Sequence, residues 1–303
     1  MSSGAWWSEA FSADYVDLYP HRDLASARVE AQFLISAGLH GRVLDLCCGW
    51  GRHLIAFDEL SREQGLDIEV AGVDYSADLL RRLRALPEGS RVALRTVNGD
   101  ARRAPFRDGA FDGIVSLFSS FGYFGDEGDA DLLSGLARML APSGAAFLDV
   151  MNPHVVRTGL VPESTNSVGD ARLVERRSLS GPFVRKDVEL WRAGVHVRTW
   201  HEEVRMYEFA ELEALSAAVG LAIDAKWGAF DGSSLEPTSP RQLLRLRHVA
   251  TDSAIVHASS VRSSESWPST GDGGGSKISA AADPAGATAS RASLSSGIDL
   301  PTG

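Results

Sequence analysis

The stretch Val43-Leu44-Asp45-Leu46-Cys47-Cys48-Gly49-Trp50-Gly51-Arg52-His53 narrows the folds open to this chain more than any other. A short apolar run carries one acid, Asp45, and two glycines, Gly49 and Gly51, follow at once. Glycine allows a sharp turn and a close approach of backbone to ligand, because it has no Cβ. Leu54, Ile55, Phe57 and Leu60 then recur at helical spacing. The reading is a buried strand, a glycine turn and a helix start, whose free N–H groups face whatever occupies the turn.

Two phosphate-binding readings fit this stretch poorly. A dinucleotide fingerprint asks for a small third residue so that helix and strand pack closely, and Leu54 stands there. A Walker loop asks for Gly-Lys-Ser/Thr, which does not follow.

Further stretches repeat the form of a strand ending in a chemically useful residue. Residues 68–76 end in Asp74, Tyr75 and Ser76, and a carboxylate there has two acceptor oxygens for a ribose diol. Residues 97–101 carry Asp100 and Ala101, and residues 111–118 form a strand ending at Leu117 and Phe118. Leu140-Ala141-Pro142-Ser143-Gly144 precedes a fifth apolar run. Strands alternating with helical stretches at 52–60, 77–86 and 129–140 predict a mostly parallel sheet covered on both faces. Ligands of such sheets sit beyond the carboxyl ends of the strands.

In order and spacing these five stretches resemble the motifs of the class I S-adenosylmethionine (SAM)-dependent methyltransferases, with Ser143 where that family usually has glycine. The resemblance covers roughly residues 10–250 and implies an α/β fold, a doubly wound, seven-stranded, mostly parallel sheet of Rossmann-like type. It implies SAM as methyl donor and a small-molecule acceptor methylated on nitrogen or oxygen, amino sugars among the acceptors of similar enzymes. It places Asp45, Cys47, Gly49 and Gly51 under the methionine and ribose, and Asp74 and Tyr75 at the ribose. It places Asp100 and Ala101 at the adenine, Leu117 at the methyl donor, and Tyr19 and Arg22 of an N-terminal cap at the methionine carboxylate. Tyr123, His21, His154 and Phe230 are the implied acceptor-pocket residues, while Phe118 and Phe124 read as core. His21, His154 and Tyr123 are candidate bases, but no spacing selects among them and no catalytic residue is assigned. Where nucleobase N-methyltransferases carry Asn/Asp-Pro-Pro-Tyr/Phe, this chain has Ser120-Phe121-Gly122-Tyr123, which argues against a nucleobase acceptor.

Charge and composition point the same way. The net charge is −10, of which −8 falls on residues 1–250, so phosphate backbones are poorly matched and no nucleic-acid partner is expected. The two cysteines are neighbours, which leaves neither a disulfide framework nor a zinc set, and His154, His196 and His201 lack metal-ligand spacing. No secretory pattern or membrane-length apolar run occurs, so a cytoplasmic protein without a membrane partner is expected.

Three regions are expected. Residues 1–40 form an aromatic-rich helical cap, residues 41–250 the SAM-binding domain, and residues 251–303 a disordered tail rich in Ser, Ala, Gly and Thr without catalytic role. Alternating strands at about 172–207 are an antiparallel insertion suited to a lid or a homodimer surface. Two rival readings stand beside the methyltransferase: a nicotinamide-dependent oxidoreductase on a Rossmann-like fold, and a SAM-binding module without turnover.

Overall fold

The computed structural model describes residues 6–249, and the expected disordered tail lies outside the described residues. Three helices come first: α1 (Trp6–Ala10), α2 (Tyr15–Leu18) and α3 (Leu24–Ser36). The sheet then begins with β1 (Gly41–Leu46), α4 (Arg52–Gln64), β2 (Ile68–Asp74), α5 (Ala77–Ala85) and a short β3 (Thr96–Asn98). It continues through β4 (Phe111–Ser116), α6 (Gly125–Met139) and β5 (Leu140–Met151). After α7 (Pro153–Gly159) the chain leaves the sheet for β6 (Glu163–Val168), β7 (Ala171–Ser180), β8 (Phe183–Arg192) and β9 (Val195–Arg205). It returns with α8 (Phe209–Ala218), β10 (Leu221–Trp227) and β11 (Arg241–His248).

The seven-stranded sheet has the order β10-β11-β5-β4-β1-β2-β3. Strands β3, β2, β1, β4 and β5 pair in parallel, and β11 joins antiparallel to both β5 and β10. The chain runs outward from β1 to β3 and then starts again at β4 on the other side of β1. The carboxyl ends of β1 and β4 therefore flank a switch point, where such sheets open a crevice. This is the mostly parallel α/β methyltransferase fold that the sequence implies, with a separate four-stranded antiparallel sheet in the order β6-β7-β8-β9.

Each face of the large sheet has its own core. Ala27, Ala31 and Leu34 of α3 meet Leu54, Ile55 and Phe57 of α4 on one face. Leu132, Leu133 and Leu136 of α6 and Leu212 of α8 cover the other. Burying each such Leu or Phe contributes about 1.5–3 kcal/mol. The N-terminal segment thus divides. Helix α3 belongs to the layer over the sheet, whereas Trp6, Leu18 and Tyr19 pack with Tyr123 and the antiparallel sheet. Arg198 of β9 ties the first two helices down, donating to the Glu9 carbonyl, Ser12 Oγ and Asp14 Oδ1, each at 2.8 Å.

The antiparallel sheet starts earlier than its sequence pattern indicates. Strand β6 reads Glu-Ser-Thr-Asn-Ser-Val and has no apolar alternation; its pairing to β7 from Glu163↔Arg176 to Val168↔Ala171 holds it. Strand β3 has three residues, because residues 93–95 form a 3₁₀ turn before it.

Candidate functional site: a cleft at the switch point

The turn after β1 is left-handed at Cys47 (φ 63°), Gly49 (φ 56°) and Gly51 (φ 75°). Gly51 caps α4, and a Cβ there would lie 2.7 Å from a methyl of Leu83. Leu54, the residue that breaks the dinucleotide fingerprint, packs over Gly72 of β2, where a Cβ would approach it to 2.7 Å. The small residue that permits close helix–strand packing is thus on the strand rather than the helix. Asp74 fixes the turn from β2: its Oδ2 accepts the Gly49 N–H at 2.7 Å and its Oδ1 the Ser76 N–H at 2.8 Å.

Above this turn lies a cleft of about 940 Å³ counting its open mouth. Its lining brings together Arg22, Asp45, Cys47, Gly49, Asp74, Tyr75, Asp100, Ala101, Leu117 and Tyr123 of the residues expected from sequence. Gly51, in the turn, and Tyr19 are not among the lining residues; the Tyr19 hydroxyl lies 3.5 Å from Glu175. His21 is exposed and packs edge-on to Tyr19. His154 is exposed on α7, and Phe230 is buried against Phe33 and the Arg241 guanidinium, so neither lines the cleft. Phe118 and Phe124, expected in the core, do line it.

The lining carries both signs of charge, Arg22 and Arg52 with Asp45, Asp74 and Asp100. Arg52 pairs with Glu30 at 2.9 Å, and His53 Nε2 lies 2.6 Å from the same Glu30 oxygen. Burial pushes His53 down to about 4, with Arg52 adding to the effect, so its ring is neutral at pH 7. Burial would raise the Glu30 carboxyl, but Arg52 and His53 outweigh it and hold it below the usual range. Burial, then the charge of Asp74, pushes Asp45 up to about 8. Burial likewise raises Asp74 to about 6, against its two backbone hydrogen bonds. Asp100 is held below its ordinary value by its hydrogen bonds to Arg102.

Two buried atoms, Asp45 Oδ2 and Arg52 Nη2, have no hydrogen-bond partner. Buried polar groups are costly when left so. One is an acceptor on an acid and the other a donor on a cation, which suits the ammonium and carboxylate of an amino acid. Asp74, in the same lining, has carboxylate lone pairs suited to a diol, and Asp100 and Ala101 line the cleft with it. The residues present therefore fit SAM.

Sequence reasoning missed the Glu30–Arg52–His53 cluster. Its signal was an Arg-His pair directly after the second glycine, on the first turn of α4, with an acid in the preceding helix. It also missed Trp7 and Phe11, which reach the cleft from the N-terminal helices; the Phe11 carbonyl accepts from Ser76 Oγ at 2.7 Å.

Residues 43–144 match the family described as a methyltransferase domain. Over those residues, about a third of its length, the chain is similar to methyltransferase domains. Demethylmenaquinone methyltransferase of Thermus thermophilus is 35% identical over 34% of this chain and 44% of its own length. The chain thus spans less than half of that relative. Cypemycin N-terminal methyltransferase of a Streptomyces species is 28% identical over 69% of this chain and 84% of its own. Among solved structures, the CcbJ methyltransferase from Streptomyces caelestis superposes with a TM-score of 0.64 at 20% identity, covering 74% of this chain and 90% of that one. At that identity the likeness speaks for the fold. Among the described residues no helix is long and apolar enough to cross a membrane.

Proposed function

We propose that this protein transfers the methyl group of SAM to a nitrogen or oxygen atom of a small-molecule acceptor. The observation that carries the reading is that Asp45 Oδ2 and Arg52 Nη2 are both buried and unsatisfied in residues of a cleft that Asp74 and Asp100 also line. SAM bound there supplies an activated methyl on a positively charged sulfur with a good leaving group. The chain's own work is alignment, which converts an encounter of two reactants into an effectively unimolecular step. Arg52 and Asp45 hold the amino-acid end, and Asp74 and Asp100 hold the nucleoside end. Trp7, Phe11, Tyr15, Tyr123 and Phe124 wall the remaining space with rings, excluding water and presenting electron-rich faces to a cation. The relatives support a small acceptor: one solved neighbour, CalS10, is described as an amino pentose methyltransferase, and the Streptomyces relative as methylating the N-terminus of cypemycin.

The test is release of S-adenosylhomocysteine from SAM in the presence of a library of small amines and alcohols, with tritium followed from the methyl group into product. Acceptor-dependent release supports the proposal. Tight SAM binding with no release for any acceptor would instead favour a binding module.

A further inference from the structure

The chain leaves β4 through a backbone that L-residues rarely adopt. Phe118 (φ 59°) and Ser119 (φ 57°) are both left-handed, and neither is glycine. Strand β5 enforces this. Asp149 Oδ2 accepts the Phe118 N–H at 2.8 Å, and the Asp149 carbonyl accepts the Ser119 N–H at 2.9 Å. Arg241 of β11 pairs with the same Asp149 oxygen, and both side chains are buried. Ser120 Oγ donates to the Leu117 carbonyl at 2.8 Å. Strain held in place by so many partners is characteristic of functional positions.

The result of this turn is that the Phe118 carbonyl meets the Tyr123 hydroxyl, at 3.4 Å, on the wall of the cleft. The Tyr123 ring cannot swing away. It packs edge-on to Trp6 at 4.9 Å and stacks on Phe11 at 5.7 Å. Its hydroxyl donates its proton to the carbonyl, and both residues belong to the lining of the cleft. Burial keeps that hydroxyl protonated; the Arg22 charge opposes the effect, and Glu202, Cys47 and Asp74 add to it.

Given the methyl-transfer reading above, on which this rests, we propose that the acceptor atom is an amine nitrogen, received by the Tyr123 hydroxyl oxygen and the Phe118 carbonyl oxygen. Both oxygens accept hydrogen bonds, and neither takes a proton. That pair serves an N–H group and gives no help to an alcohol, which gains from a base as it reacts. The rings that touch Tyr123 are those of Trp6, Phe11 and Phe124, and none of them can take a proton. His53 also lines the cleft, but its ring is turned to Glu30 beside Arg52.

The step balances without a further reactant. The lone pair of the neutral amine forms the N–CH₃ bond as the S–CH₃ bond breaks, and the bonding pair stays on sulfur as the thioether of S-adenosylhomocysteine. The nitrogen becomes positive and then gives one proton to water. As its charge develops, its N–H bonds to the two oxygens strengthen, so the interaction favours the transition state over the bound amine.

The experiment uses the full chain, tritiated SAM and ring-matched acceptor pairs: amino sugars with their parent sugars, aminocyclitols with cyclitols, anilines with phenols. Transfer is expected to the amine member of a pair, with a rate that rises with pH toward that amine's own pKa. Tyr123→Phe is expected to lower kcat about ten- to a hundredfold with KM for SAM unchanged, since a hydrogen bond to a charged group is lost. The variant's thermal shift with S-adenosylhomocysteine should match wild type, which shows folding and donor binding intact. Equal or faster transfer to the alcohol members, or an unchanged kcat in Tyr123→Phe, would overturn the proposal. Transfer to neither class by protein that binds S-adenosylhomocysteine would also overturn it and leave the donor site standing; failure to bind S-adenosylhomocysteine would remove the methyl-transfer reading itself.

Discussion

Asp74 closes the glycine turn: its carboxylate Oδ2 accepts the backbone N–H of Gly49 at 2.7 Å, joining two stretches of sequence 25 residues apart. The same carboxylate accepts from the Ser76 N–H through Oδ1, so one side chain ties the turn after β1 to the turn after β2. Asp74→Asn keeps the shape but turns an amide N–H₂ toward one of the two backbone donors. A buried donor left unpaired costs about 1–3 kcal/mol. Calorimetric titration should show SAM affinity reduced at least about tenfold, and unchanged affinity would show that the turn does not depend on this acid.

The cluster around Glu30 predicts a stability cycle. Removing one partner of a buried ion pair typically costs about 3–5 kcal/mol, because the other charge is left uncompensated. Glu30→Gln should therefore lower stability by that order in urea unfolding, with Arg52 left facing the Arg22 charge. Glu30→Gln combined with Arg52→Met should recover part of the loss. A double variant less stable than the single one would contradict the pairing as the source of the effect.

Asp45 predicts a pH signature. Its carboxyl is raised to about 8, so it is mostly protonated in the free protein at neutral pH. Its contribution to stability is fully present below the unfolded value of about 4 and is lost as pH rises through about 8. Accepting an ammonium requires the ionised form, so SAM binding at pH 7 should expel protons, and affinity should climb from pH 6 to pH 8. Calorimetry in two buffers of different ionisation enthalpy measures the release. Asp45→Asn should abolish this share of it.

Gly51 predicts a purely conformational effect. It is left-handed at φ 75°, where an L-residue costs about 1–2 kcal/mol, and a Cβ would press on Leu83. Gly51→Ala should lower the melting temperature by several degrees, the shift expected for that cost. If melting is unaffected, the turn is less constrained than its geometry indicates.

How much of this was readable from sequence follows from the range of each interaction. The glycine turn and the acids at 45, 74 and 100 are signalled locally, because strand, turn and helix start are set by neighbouring residues. The order of five such units was enough to imply the sheet. Contacts between distant elements were not readable. Glu30 meets Arg52 across two helices, and nothing in either helix alone announces it. Phe118 reads as core because it is a phenylalanine at a strand end. It reaches the cleft because Asp149 and Arg241, from β5 and β11, turn its backbone left-handed. His154 and Phe230 were named for their position after β5 and before β11, and local packing took them elsewhere: α7 carries His154 to the surface, while Phe33 and Arg241 cover Phe230.

The most direct measurement is calorimetric titration of the ligand-free protein with S-adenosylhomocysteine and, separately, with NAD. One-to-one binding of S-adenosylhomocysteine, weakened by Arg52→Met in protein shown to be folded, with no heat from NAD, is the predicted result. No binding of S-adenosylhomocysteine by folded, ligand-free wild type, or binding of NAD in its place, would contradict the assignment of the cleft.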